Sequence, residues 1–188
     1  MKRKYPGLLA VVLMLWGAAG WADSYTDTAA LFRNAGQSAS FFHNSYGYAV
    51  FPTVGKGGFV VGAAHGSGHV YRHGAYVGDT TVNQLSVGFQ AGGQAYSQIV
   101  FFEDKAAFDA FTRGDFEFGA DVNAVAITAA AGASAGTAGA SAGASGGEKD
   151  ARTAGRYYKG FAIFTIVKGG AMYQAAVAGQ KFSYTPKA

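Results

Sequence analysis

Residues 47–58 read Gly-Tyr-Ala-Val-Phe-Pro-Thr-Val-Gly-Lys-Gly-Gly, and residues 160–170 read Gly-Phe-Ala-Ile-Phe-Thr-Ile-Val-Lys-Gly-Gly. With Gly55 set aside, Tyr48 aligns with Phe161, Val50 with Ile163, Phe51 with Phe164, Val54 with Val167 and Lys56 with Lys168. Each copy is a run of β-branched and aromatic residues that stops at Lys-Gly-Gly and re-enters apolar sequence. That is the pattern of a strand feeding a hairpin. Its recurrence predicts two hairpins built alike, facing each other about a pseudo-twofold axis. Neither copy holds a catalytic constellation, but the matched lysines Lys56 and Lys168 are candidates for an anion-binding surface.

Outward from the first copy, residues 46–102 read as strand after strand. Punctuation is expected at 55–58, 66–68, His73-Gly74 and 78–80. Leu85, Val87, Phe89 and Ala91 alternate with Ser86, Gly88, Gln90 and Gly92, which predicts a strand burying the leucine side. Residues 26–37 read as a helix capped by Ser24 or Thr26, with Leu31, Phe32 and Ala35 as its apolar stripe. Residues 103–113 read as a second helix, opened by Glu103 and Asp104, burying Phe108 and Phe111, and stopped at Gly114. The last strands are expected over 157–167 and 171–184. Together these predict one β-rich α+β domain: a twisted antiparallel sheet closed into a barrel or sandwich, with two short accessory helices.

The first 22 residues have a different character. Lys2, Arg3 and Lys4 precede an apolar run from Leu8 to Trp16, and Gly20 and Ala22 are small residues at cleavage positions. This is the pattern of a secretory signal peptide, too short in its apolar run to favour a membrane span, and it predicts an exported domain over 23–188. Three of the fifteen basic residues lie in the leader, leaving twelve against eleven acidic ones. The formal charge of +4 is thus largely the leader's, and it gives no argument for nucleic acid as a partner. Residues 129–147 are almost wholly Ala, Gly, Ser and Thr; the expectation is a strand end followed by a loop through residue 150.

Catalytic readings fail on context. The chain has no cysteine, which excludes disulfides, thiolate metal sites and a cysteine nucleophile. Ser134, Ser141 and Ser145 sit in Gly-x-Ser-x-Gly patterns, but inside a tract where composition alone produces them. The strand–turn–helix that a nucleophile elbow requires is missing there. His65, His69 and His73 are spaced by four, yet Gly66, Gly68 and Gly74 argue against the helix that would bring them to one ion. Gly55-Lys56-Gly57 lacks the leading glycine and the following hydroxyl of a phosphate loop. No catalytic residue, metal or cofactor is expected.

Arg152, Arg156 and Lys159, with Lys149, surround Tyr157 and Tyr158. Cations beside interfacial aromatics suit lipid headgroups. The other reading is a strand start at Tyr157 with solvated neighbours, and nearby Glu148 and Asp150 dilute the positive field.

Three segments make the chain resemble a known family. These are Ala49-Val50-Phe51-Pro52 followed by Lys56-Gly57-Gly58-Phe59; residues 88–94, Gly-Phe-Gln-Ala-Gly-Gly-Gln; and Phe101-Phe102. The chain resembles the SYLF-domain family, and Tyr157-Tyr158-Lys159-Gly160 with Lys181-Phe182-Ser183-Tyr184 is similar to its secreted bacterial branch. The resemblance spans 23–188 and implies a β-rich domain with accessory helices that binds phospholipids and phosphoinositides; with the leader and the lack of a catalytic constellation, the expectation is a non-catalytic phospholipid-binding protein of the periplasm or cell envelope. Its contacts are expected at Arg152, Arg156, Tyr157, Tyr158 and Lys159, and at Lys56 and Lys168. Actin, a partner of fungal members, is not expected for an exported bacterial protein. The rival expectation is a structural envelope protein that works by protein–protein contacts.

Overall fold

The computed structural model describes residues 20–57, 61–87, 94–119, 122, 124–127, 156–169, 177 and 179–188. Residues 1–19 of the expected leader, the tract 129–150 with its three serines, and Arg152 lie outside the described residues.

Strand β4 (Gln94–Phe102) lies at the middle of the architecture. From Tyr96 to Phe102 every side chain is buried, with no alternation between a wet and a dry face. A strand of that kind needs cover on both faces of its sheet. β1 (Gly47–Gly57) and β7 (Phe161–Gly169) flank it, both antiparallel to it. Beyond β1 lie β2 (Val61–Arg72), β3 (Ala75–Val87), β8 (Lys181–Pro186) and the short β5 (Phe116–Glu117). Beyond β7 lies β6 (Val125–Ile127), the one parallel pairing among the described strands.

The sheet curls around one core and carries a second on its outside. Inside, α4 (Lys105–Phe111) lays Phe108 and Phe111 against Phe102, Phe161 and Phe182, with Phe118 and Val177 completing the filling. Asp104 caps α4 by accepting from the Ala107 amide at 2.8 Å, and Gly114, at φ +93°, ends the following turn. Outside, α1 (Gly20–Asn34), α2 (Gly36–Ala39) and α3 (Phe41–Asn44) cover Val50, Ile99, Phe101 and Phe164 with Ala29, Phe32, Ala35 and Phe41. The inner core also holds one polar knot. The Gln98 and Gln180 amides donate to each other's oxygens at 2.8 and 3.0 Å, and Gln180 Nε2 also reaches the Tyr96 hydroxyl at 3.0 Å. All three are essentially fully buried, so their mutual pairing removes the cost of taking them from water.

Several expectations need correction. The sheet is a half-barrel, not a closed barrel or sandwich: β5 and β6 end the strand order at opposite edges, and α4 with the segment after β5 fills the concavity instead. The chain forms four described helices where two were expected. Ser24 and Thr26 lie within α1 and do not cap it, and Leu31 is 51% exposed while Ala29, Phe32 and Ala35 carry the contact. Gly66, Gly68 and Gly78 are strand residues, not turn punctuation. Their missing side chains admit a close neighbour: the Phe51 ring at Gly68 and the Tyr184 ring at Gly78. His73-Gly74 is a two-residue hairpin turn as expected, with φ of +48° and +81°. Leu85 is 79% exposed; Val82 and Gln84 hold the buried face of β3, one residue out of phase with the expected alternation.

The repeat is real in sequence and differently used in space. Its copies are β1 and β7, and because both run antiparallel to β4 they are parallel to each other, side by side with β4 between. Tyr48 lies level with Ala162, through Phe101, whereas Val54 lies level with Val167, through Tyr96. The extra residue of β1 is absorbed in a bulge between Phe51 and Val54, around Pro52, not at Gly55. A bulge is where a proline, lacking its N–H, does least harm to a central strand. One step of slip reverses the faces: Val50 packs outside under the helices while its sequence mate Ile163 packs inside.

A Cβ added at Gly68 would sit 2.6 Å from the Phe51 ring and 2.8 Å from the Val50 carbonyl oxygen, whereas at Gly55 it meets nothing within 4 Å. We expect Gly68→Ala to lower unfolding free energy by about 1–3 kcal/mol in urea titration. Gly55→Ala should leave it within about 0.5 kcal/mol.

Candidate functional site

The strand directions divide the half-barrel into two ends. One carries the start of β1 and β7 and the close of β4, where Gly47, Phe161 and Phe102 lie level. Arg156, Tyr157, Tyr158 and Lys159 are at this end, just ahead of β7. The other carries the end of β1 and β7, with Lys56 opposite Gln94 and Lys168 between Val167 and Gly169. The two groups of expected contact residues are therefore a full strand apart, about 25 Å by the rise per residue. Within the second group, the backbones of Lys56 and Lys168 emerge on one rim, about 10 Å apart across β4.

At the first end the tyrosines are structural. Tyr157 packs edge-on against Phe41 at 5.1 Å, and Tyr158 joins the inner core and bridges to Phe161. Burial, reinforced by the Glu103 carboxylate, pushes the Tyr157 phenol up to about 12, so it stays neutral through the physiological range. Lys159 takes φ +50° in the turn before Gly160, and its ammonium lies 5.3 Å from the Tyr158 ring centre. Arg156 is exposed and lines a recess of about 370 Å³ with Tyr157, Ser40, Asn44 and the acidic Glu103.

At the second end Lys168 occupies a bulge. β7 spends two steps, Val167 to Gly169, where β4 spends one, Tyr96 to Ala95. Bulges re-aim side chains. Lys168 Nζ extends past β4 and donates to Thr53 Oγ1, 3.1 Å away, in the bulge of β1. The two irregularities thus meet on the outer face, beneath α1. They floor a groove of about 570 Å³ whose walls include Asp27 and Leu31 of α1 and His65 and Ser67 of β2. His65 Nδ1 is 2.8 Å from Asn83 Oδ1, which ties the groove to β3, and Leu85 stands two residues further along the same face. Leu31 and Leu85 are the exposed large hydrophobic side chains among the described residues, and both are on or beside this groove.

Between the ends an aromatic band crosses the outer face. Tyr25 of α1 stacks on His69 at 3.5 Å and 9°, His69 leans on Tyr76, and Tyr48 stacks on Tyr71. Asp79 accepts from the Tyr76 hydroxyl at 2.8 Å and lies 3.3 Å from His69 Nε2. Desolvation, then the hydrogen bond to Asp79, pushes the Tyr76 phenol up to about 12. His65, His69 and His73 do not converge: each has a different neighbour, Asn83, Asp79 and Tyr46. Among the described residues there is no group of His, Cys, Asp and Glu able to hold a metal ion. Nor is any described helix long and apolar enough to cross a membrane.

The sequence reading singled out Lys168 and missed its partners. Thr53, Ser67 and Asp27 carry no motif; a proline inside a strand, the mark of the bulge at Pro52, was the one available signal.

Two comparisons bear on this geometry. Residues 83–185, more than half of the chain, match the family model described as Ysc84, Las17-binding protein actin regulator. The chain is also 29% identical over 166 residues to beta cell expansion factor A from Aeromonas veronii, covering 85% of this chain and 54% of that protein. It therefore spans about half the length of that curated relative.

Burial holds the His69 imidazole below its ordinary value, and this outweighs the opposing pull of Asp79, which is 62% exposed and screened by water. The unfolded chain consequently binds this proton at higher pH than the folded one. Stability should fall as pH drops below about 6.5. We expect His69→Phe, which keeps a ring under Tyr25, to flatten that part of the curve of unfolding free energy against pH.

Proposed function

The chain belongs to the Ysc84 family, that of the SYLF domain, and on that premise we propose a non-catalytic phospholipid-binding protein of the bacterial periplasm or cell envelope. Export rests on the leader pattern of residues 1–22, and residues 23–188 form the single lipid-binding domain of this reading. The observation that carries the choice of surface is the coincidence of Lys56, Lys168, Leu31 and Leu85 at one end of the half-barrel.

Cations attract phosphates over a Debye length, and exposed leucines beside them supply the short-range apolar contact that holds a peripheral protein at an interface. The opposite end offers charge through Arg156 and Lys159, but its tyrosines are engaged in the two cores. In this proposal Arg152, Arg156 and Lys159 strengthen long-range attraction, and Tyr157 and Tyr158 hold the turn that presents Lys159.

Vesicle co-sedimentation tests the reading. Lys56→Glu with Lys168→Glu should weaken binding to anionic vesicles at low salt by more than about 2 kcal/mol, since each base near such a surface contributes about 1 kcal/mol and reversal adds repulsion. Half a molar salt should screen the long-range part of that difference and leave the roughly tenfold share of a direct Lys168 contact. Reversal of Arg152, Arg156 and Lys159 should produce a loss that salt removes almost completely. Absence of binding to any bacterial lipid, with selective capture of an envelope protein, would replace this reading with a structural role.

A further inference from the structure

We propose that the groove beneath α1 is a receptor for one zwitterionic headgroup, phosphoethanolamine carried on a lipid, with Lys168 on its phosphate and Asp27 on its ammonium. The inference rests on the phospholipid reading above and narrows it to a headgroup.

The groove offers charges of both signs from separate elements, Asp27 on α1 and Lys168 on β7, each exposed to what enters. Lys168 is oriented before any ligand arrives. Its ammonium has three N–H donors; Thr53 accepts one of them, and Lys168 lines the groove, where the others can meet a ligand. Thr53, having accepted from Lys168, keeps its own hydroxyl proton to donate, and the Ser67 hydroxyl lies in the same wall. An ammonium and two hydroxyls around one space form a donor set for phosphate oxygens. On the α1 side Asp27 is an acceptor, and a primary ammonium with its three donors answers it.

The same inventory argues against the other common headgroups. A phosphatidylglycerol headgroup would pair its phosphate with Lys168 in the same way but bring only neutral hydroxyls to Asp27, whose charge would then lack a counter-ion. A trimethylammonium group has no N–H for Asp27 and is held best over open aromatic faces. Tyr25 is the tyrosine among the described residues of this groove, and one of its faces is already covered by His69 at 3.5 Å. Leu31 in the groove wall and Leu85 beside His65 and Asn83 mark the side from which acyl chains approach, which points to a lipid and not a free phosphoamine.

The test compares the full chain on phosphatidylcholine vesicles doped with phosphatidylethanolamine or with phosphatidylglycerol, at high salt so that general charge attraction is screened. The wild type should prefer phosphatidylethanolamine. Asp27→Asn should erase that preference while sparing phosphatidylglycerol binding, and Lys168→Gln should weaken binding to both by about tenfold. Both side chains are exposed, and circular dichroism should confirm an unchanged fold. An unchanged preference in Asp27→Asn, with vesicle binding intact, overturns the headgroup assignment and leaves the phospholipid reading standing. Failure of the wild type to bind either vesicle sinks both. Soluble phosphoethanolamine serves as the remaining arm: saturable shifts of the Thr53 and Ser67 amides without vesicle binding would reassign the groove to a free ligand.

Discussion

Strand β4 has no solvent face, and the rest of the molecule follows from that. Seven consecutive residues, Tyr96 to Phe102, are buried, so apolar cover is required above and below the same stretch of sheet. Below, curling of the sheet around α4 and the phenylalanines of β5, β7 and β8 supplies it. Above, three short helices supply it, although their own apolar stripe is only Ala29, Phe32, Ala35 and Phe41. Helices this short are stable through what they pack on and not through intrinsic propensity. Two flanking strands of closely similar sequence, β1 and β7, complete the layer, offset by one residue so that their large side chains serve opposite cores.

That offset has to be recovered along the strands, and the recovery creates the groove. β1 absorbs a residue around Pro52 and β7 absorbs one at Lys168, both against the first residues of β4. Bulges are local departures from the ladder that free polar groups and redirect side chains. Here they set Thr53 and Lys168 against each other on the helix-covered face, where α1 leaves room. A packing solution in the core thus delivers a polar recess at the rim.

Much of this was legible in the sequence. Strands among the described residues of 46–102, the cap, stripe and stop of α4, and the His73-Gly74 turn follow from local chemistry, and the structure has them. The family resemblance is matched over residues 83–185. Long-range choices were hidden. Gly66, Gly68 and Gly78 look like punctuation until Val54 and the rings of Phe51 and Tyr184 are in place, because a glycine signals close approach and a turn alike. Leu85 looked buried because alternation gives the period of a strand and not its phase. The repeat gave the identity of two strands but not their relation, which depends on a third strand lying between them. Lys168 was visible as a turn lysine; the partners that make it part of a site come from β1, β2 and α1, and no motif spans them.

The central claim is that lipid meets the Lys168 end of the half-barrel and enters the groove beneath α1. Amide hydrogen exchange, with and without phosphatidylethanolamine-containing vesicles, reads both ends at once. The account predicts slowed exchange at Thr53, Ser67 and Lys168 and along the Asp27–Leu31 turn of α1, with the amides of Arg156, Tyr157 and Lys159 unchanged. Protection confined to residues 156–160, with the groove amides exchanging as in free protein, would contradict it.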